Sequence, residues 1–107
     1  MKIEFDQDYL FDLYTKGKTE NRKFRFQPQL IKQYIKTVTT LKQAPDAEFL
    51  YTIKSLHYEK KSGILNDVEA VWINNQCRLE FKTRIEDDDS TTFTICTITD
   101  ISNHYKK

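Results

Sequence analysis

His57 and His104 are the only histidines in the chain, and imidazole is the side chain that ordinarily sits between acid and base near neutral pH. Each is therefore a candidate general acid or general base. Arg78 carries a planar fork of donors suited to the oxygens of an anion. Lys60 and Lys61 add point charges, while Tyr58 and Tyr105 offer rings for stacking or hydroxyls for proton donation. Arg22, Lys23 and Arg25 form a basic cluster interleaved with Phe24 and Phe26. Every one of these has a structural alternative. A lone histidine is commonly a surface or hydrogen-bonded residue, and Arg78 alternating with Glu80 reads equally as a solvated strand face. Lys60 and Lys61 read as an exposed pair, Tyr58 as core, and the basic cluster as a solvated connection.

Cys77 and Cys96 stand in no CxxC or Cys/His pattern with metal-ligand spacing, so both read as structural thiols. A disulfide between them needs Cβ atoms within about 4.5 Å, which only the strand register can decide. Asp87, Asp88 and Asp89 are consecutive carboxylates in a turn. That is the pattern of a solvated tip, not of oxygens converging on a hard cation. There is no Gly-rich phosphate loop. The expectation is a protein that uses neither metal nor cofactor.

The elements that position these groups belong to one domain, 1–107, because 107 residues build a single core. With 38% hydrophobic and 13% aromatic residues the core needs no disulfide staple, and the mixed-sign charge and evenly spread aromatics argue against wholesale disorder. Met1 to Asp6 has no apolar leader, and no stretch is long enough to span a bilayer. A cytoplasmic protein without a membrane partner is expected. The net charge of +1 argues at first against a nucleic-acid partner. Its distribution argues the other way. Residues 16–36 hold seven cations against Glu20, a net of +6, whereas residues 1–15 hold Lys2 against four carboxylates, a net of −3.

Residues 2–6 fit a short first strand, and Asp8 a cap for a helix whose apolar stripe is Tyr9, Leu10, Leu13 and Tyr14, stopped by Gly17. Pro28 suits the first turn of a second helix, in which Leu30, Ile31, Tyr34, Ile35, Val38 and Leu41 recur at helical spacing up to Ala44 and Pro45. After that the pattern turns β-rich: Phe49 to Tyr58, Val68 to Asn74, Cys77 to Ile85 and Thr91 to Thr99. Asn74 and Asn75 mark one tight turn, Asp87 to Ser90 another. In Cys77 to Ile85 the alternation puts Cys77, Leu79, Phe81 and Ile85 on a core face and Arg78, Glu80, Lys82 and Arg84 on a wet one. The fold class is α+β, an N-terminal helical pair packed on a twisted, mostly antiparallel sheet of four to five strands.

Three stretches in order, Ser55 to Gly63 (SLHYEKKSG), Trp72 to Phe81 (WINNQCRLEF) and Asp100 to Lys106 (DISNHYK), resemble successive blocks of HigB-type toxins in the RelE superfamily. The basic-aromatic segment Arg22 to Phe26 before a Leu/Ile-rich helix is similar to that family's first half. The resemblance implies a RelE-like fold and ribosome-dependent, metal-independent cleavage of mRNA. It also implies a HigA-type helix-turn-helix antitoxin as partner, beside the ribosome and the mRNA. Cleavage through the 2′-hydroxyl requires one proton removed, a dianionic phosphorane stabilised and the leaving 5′-oxygen protonated. His57, Arg78, His104 and Tyr105 are the catalytic candidates; Tyr58, Lys60, Lys61, Arg22, Lys23 and Arg25 are the RNA-binding ones. The basic cluster serves equally to dock an acidic antitoxin. Two departures stand out: Ile64 to Glu69 replaces further basic residues with ILNDVE, and the tail runs Asn103, His104, Tyr105 in place of an Asp-Tyr-His order. The alternatives are a catalytically silent RelE-fold module that binds RNA or antitoxin, and a structural partner that pairs through its sheet edge.

Overall fold

The computed structural model describes residues 1–21, 26–60 and 67–103. Strand β1 (Lys2–Phe5) leads into helix α1 (Asp8–Lys16) and helix α2 (Pro28–Gln43), and then β2 (Glu59–Lys60), β3 (Glu69–Trp72), β4 (Cys77–Asp88) and β5 (Thr91–Asn103) follow. The sheet order is β1-β5-β4-β3-β2. β1 runs parallel to β5 and every other pairing is antiparallel, so this is an α+β fold with a five-stranded mixed sheet. The helical pair is not N-terminal to the whole sheet: it is inserted between β1 and the remaining strands. A parallel pair cannot be closed by a tight turn, and the helices supply part of the long crossover it needs.

Asp8 occupies the first helical position of α1, not its cap; Gln7 is the cap and makes no side-chain capping bond. The carboxylate still stands where the positive end of the helix dipole favours it. Gly17, at φ 74°, ends the helix as expected, and its N–H donates to the carbonyl of Leu13 at 3.1 Å. Pro28 opens α2 and Ala44 closes it. The Met1 ammonium donates to the carbonyls of Lys42 (2.9 Å) and Ala44, satisfying acceptors that the end of α2 leaves open.

One core lies between the helices and one face of the sheet. Tyr9, Leu10 and Leu13 of α1 and Tyr34, Val38 and Leu41 of α2 meet Val71, Leu79, Phe81, Cys96 and Ile98. Tyr34 is wholly buried, and its hydroxyl donates to the carbonyl of Leu10 at 2.7 Å, which ties the helices together.

Two further expectations are corrected. The run Phe49 to Tyr58 is not a strand but two short 3-10 helices, Glu48–Thr52 and Lys54–Leu56. Asp46 Oδ1 accepts the Phe49 N–H at 3.0 Å and the Thr52 hydroxyl donates to the Phe49 carbonyl at 2.7 Å, local bonds that replace a sheet ladder. Ile85 is not core: it is 71% exposed, because β4 and β5 run on as a hairpin arm past the cover of the helices. The thiols are free. Cys77 pairs with Asn103 while Cys96 pairs with Thr83, six residues further along β4 and hence about 20 Å away at strand rise. No helix among the described residues is long and apolar enough to cross a membrane.

Replacing Tyr34 by Phe removes a fully buried donor and leaves the volume almost unchanged. Denaturant unfolding of Tyr34→Phe is expected to show a loss of about 1 kcal/mol with an unaltered slope.

Candidate functional site

The site is built on the connection between β3 and β4. Asn74 Oδ1 accepts the backbone N–H groups of Gln76 and Cys77, both at 2.8 Å, and the Ile73 N–H donates to the Cys77 carbonyl at 2.9 Å. This closes a three-residue loop and sets Trp72 directly opposite Arg78 across the ladder. The Arg78 Cζ lies 4.2 Å from the centroid of the Trp72 ring.

Arg78 was expected on a wet strand face, yet it is only 9% exposed. Its side chain folds back along the loop, where Nη1 donates to the carbonyls of Asn74 (3.0 Å) and Cys77 (3.3 Å). The indole and the two carbonyls take the place of water around one side of the guanidinium. Nε and Nη2 donate to no described residue.

His57 reaches the same indole from the other strand edge. It ends the second 3-10 helix with φ 49° and ψ 47°, a left-handed backbone conformation uncommon outside glycine, and its N–H donates to the Lys54 carbonyl at 3.1 Å. The imidazole stacks on Trp72 with centroids 3.7 Å apart and planes 24° off parallel, and the residue remains exposed. Its neighbours hold it there. Leu56 is buried, and the Tyr58 hydroxyl donates to Glu69 Oε1 at 2.5 Å.

Glu69 is 1% exposed and carries this anchor. Its other oxygen accepts from the Thr83 N–H (3.0 Å) and the Thr83 hydroxyl (2.6 Å), so three donors from two residues meet one carboxylate. Burial, and then the hydrogen bond to Glu69, push the Tyr58 phenol well above its ordinary range. The Tyr58 ring packs edge-on against Tyr51 and near Phe81. It sits inward with its hydroxyl committed, an anchor and not an open platform. Lys60 is exposed on the edge strand β2, opposite Glu69 in register.

The structure therefore brings His57 and Arg78 onto one indole and leaves Lys60 apart at the sheet edge. Arg22, Lys23, Arg25, Lys61, His104 and Tyr105 lie outside the described residues. Sequence reasoning names Asn74 as a turn residue alone and gives Trp72 and Glu69 no role, although Trp72 is the chain's one tryptophan. Further along the same sheet face, Arg84 is tied to Glu4 (3.3 Å) and Glu86 (3.0 Å), so its charge is already offset. Arg78 forms no ion pair among the described residues. An exposed imidazole and a guanidinium with two donors uncommitted among the described residues, sharing one aromatic ring, can exchange a proton and hold an oxyanion. No protein-family model, curated protein or solved structure matches the chain.

Two outcomes follow from this geometry. His57→Ala uncovers one stacked neighbour of the sole tryptophan, so Trp72 emission is expected to move to longer wavelength and become more accessible to acrylamide. Tyr9, Tyr34 and Tyr58 all have phenols raised by burial. In the unfolded chain they ionise near pH 10. Stability contributed by these groups is thus intact below about pH 10 and is lost above it, as the unfolded state sheds protons the folded state keeps. Denaturant midpoints measured from neutral to strongly alkaline pH should stay level on this account and then fall, the fall shrinking in Tyr58→Phe.

Proposed function

We propose that the chain is a HigB-like toxin domain with a RelE-like fold that cleaves mRNA on the ribosome without a metal, and that a HigA-type antitoxin silences it in the cytoplasm. The observation that carries the reading is the convergence of His57 and Arg78 on Trp72, with the imidazole exposed and two guanidinium donors unspent among the described residues. Support also comes from the three ordered sequence blocks, two of which contribute those residues.

In the proposed reaction a base takes the proton of the 2′-hydroxyl and the 2′-oxygen attacks phosphorus. The P–O5′ bond breaks, an acid protonates the departing 5′-oxygen, and a 2′,3′-cyclic phosphate remains. Arg78 Nε and Nη2 face the nonbridging oxygens, where charge accumulates. His57 serves as one of the two proton-transfer groups. His104 and Tyr105 are the candidates for the other. Trp72 orients the imidazole and offers a ring edge for an unstacked base.

A second reading, a silent module that binds RNA or antitoxin, is favoured by one observation: Arg78 is 9% exposed and Nη1 is already bonded to backbone carbonyls. Induced expression in bacteria separates the two. The nuclease reading expects growth arrest and discrete mRNA ends by primer extension. Arg78→Ala and His57→Ala should each lower cleavage by about 100-fold or more while the circular dichroism spectrum is retained. Ribosome or RNA binding that weakens steeply with salt, with no cut ends from the wild-type chain, establishes the silent module and removes the nuclease.

A further inference from the structure

β1 is an outer strand of the sheet and pairs with β5 alone. The Asp6 N–H donates to the Ile98 carbonyl at 3.1 Å, and backbone groups alternate sides along a strand. Those of Lys2 and Glu4 therefore also turn toward β5, while those of Ile3 and Phe5 turn outward, where they meet no described residue. Apolar surface accompanies this open edge. Ile3, Phe5 and Phe11 line a groove of about 440 Å³ beside it, the rings of Phe5 and Phe11 pack edge to face at 5.8 Å, and Phe11 is 49% exposed. Phe26, Lys60 and Asn103, which border residues outside the description, stand elsewhere. Lys60 lies on β2, the opposite outer strand, and Phe26 shares a cavity with Asn103, about 17 Å along β5 from the last β1 pairing at Ile98.

An open edge takes a strand, and the charges along β1 select which one. A two-fold antiparallel pairing of β1 with itself has one residue on the axis, and the choice of that residue fixes every facing pair. With Lys2 on the axis, lysine meets lysine; with Glu4, glutamate meets glutamate; with Phe5, Glu4 meets Asp6. Ile3 on the axis sets Lys2 against the partner copy's Glu4, twice by symmetry, and opposes no like charges. The outward groups of Ile3 then bond across the axis, and Lys2 and Glu4 fall at the closely spaced positions where facing side chains approach best. Arg84 engages only Oε1 of Glu4, and no described residue donates to Oε2. A lysine on an outer strand ordinarily guards against pairing; in this register it gains a carboxylate. The net charge of +1 sets little repulsion between copies.

We infer that β1 pairs with β1 of a second copy, antiparallel about Ile3, joining the two sheets into one and covering the Phe11 side of the edge. The inference is independent of the RNA-directed reading. Two four-residue strands make a small interface, so the dimer forms in a concentration-dependent equilibrium. Sedimentation equilibrium of the full chain from low micromolar to about 1 mM tests it. The wild-type chain is expected to pass from one copy to two as concentration rises and to stop there. Ile3→Pro deletes an outward N–H and no bond to β5, so association should fall about tenfold or more, each copy losing a hydrogen bond, with the circular dichroism spectrum retained. The Lys2→Glu and Glu4→Lys chains should each self-associate severalfold more weakly than wild type, because each sets like charges face to face. Mixed in equal amounts they should recover, since every facing pair is then opposite in sign. A chain that stays single over the whole range, growth beyond two copies, undiminished association of a folded Ile3→Pro chain, or a mixture no stronger than its components overturns the inference. Should Ile3→Pro fail to fold, the mixture decides.

Discussion

The three-residue loop held by Asn74 is the constraint on which the site depends. Side chains alternate along a strand with a period of two, so a slip of one residue between β3 and β4 moves every side chain to the opposite face. Asn74 removes that freedom by accepting two successive loop N–H groups through one oxygen. With the register fixed, Val71 faces Leu79 within the core while Trp72 faces Arg78 on the other side of the sheet. The same loop turns two of its carbonyls toward Arg78 Nη1. Core packing and site geometry are thus set by one side chain that belongs to neither.

The second support is Glu69. A fully buried carboxylate is tolerable only when its oxygens are hydrogen-bonded, and here Tyr58 and Thr83 supply the donors. Those bonds reach in two directions: Thr83 ties the carboxylate to β4, and Tyr58 ties it to the 3-10 segment that ends at His57. The left-handed backbone at His57 costs of order 1 kcal/mol or more, and such conformations persist where the surroundings over-determine them. Leu56 buried on one side and Tyr58 bonded on the other provide that, with Trp72 receiving the ring.

Much of the scaffold was legible in the residues themselves. Helical spacing from Leu30 to Leu41, Gly17 as a stop, Pro28 at a first turn and a hairpin turn within Asp87 to Ser90 all express local chemistry, which a single sequence carries. The misses have a common cause in non-local competition. Phe49 to Tyr58 has strand-forming composition, but Asp46 and Thr52 satisfy its backbone locally and no ladder forms there. Placing the turn on Asn74 and Asn75 alone gives a two-residue loop that would set Trp72 against Cys77; the third residue, which brings Arg78 opposite, follows from the Asn74 side-chain bonds. Alternation correctly put Arg78 on the face away from Leu79, yet it says nothing of a long side chain folding back onto an indole.

The contrast between Arg78 and Arg84 decides which guanidinium on this sheet face is available for chemistry. Both alternate away from the core side, and Arg84 is the more exposed. An anion arriving at Arg84 must compete with Glu4 and Glu86, which already hold it. Arg78 is in the opposite condition: among the described residues its guanidinium meets an indole face and two neutral carbonyls and no carboxylate. A ring contact of this kind contributes about 0.5–2 kcal/mol, and Nε and Nη2 are not sealed from solvent. The guanidinium is therefore a cation held in a fixed pose, and an oxyanion meeting Nε and Nη2 breaks no ion pair among the described residues. Orienting the charge in advance is what electrostatic preorganisation requires of a guanidinium, and here the loop carbonyls and the indole do so.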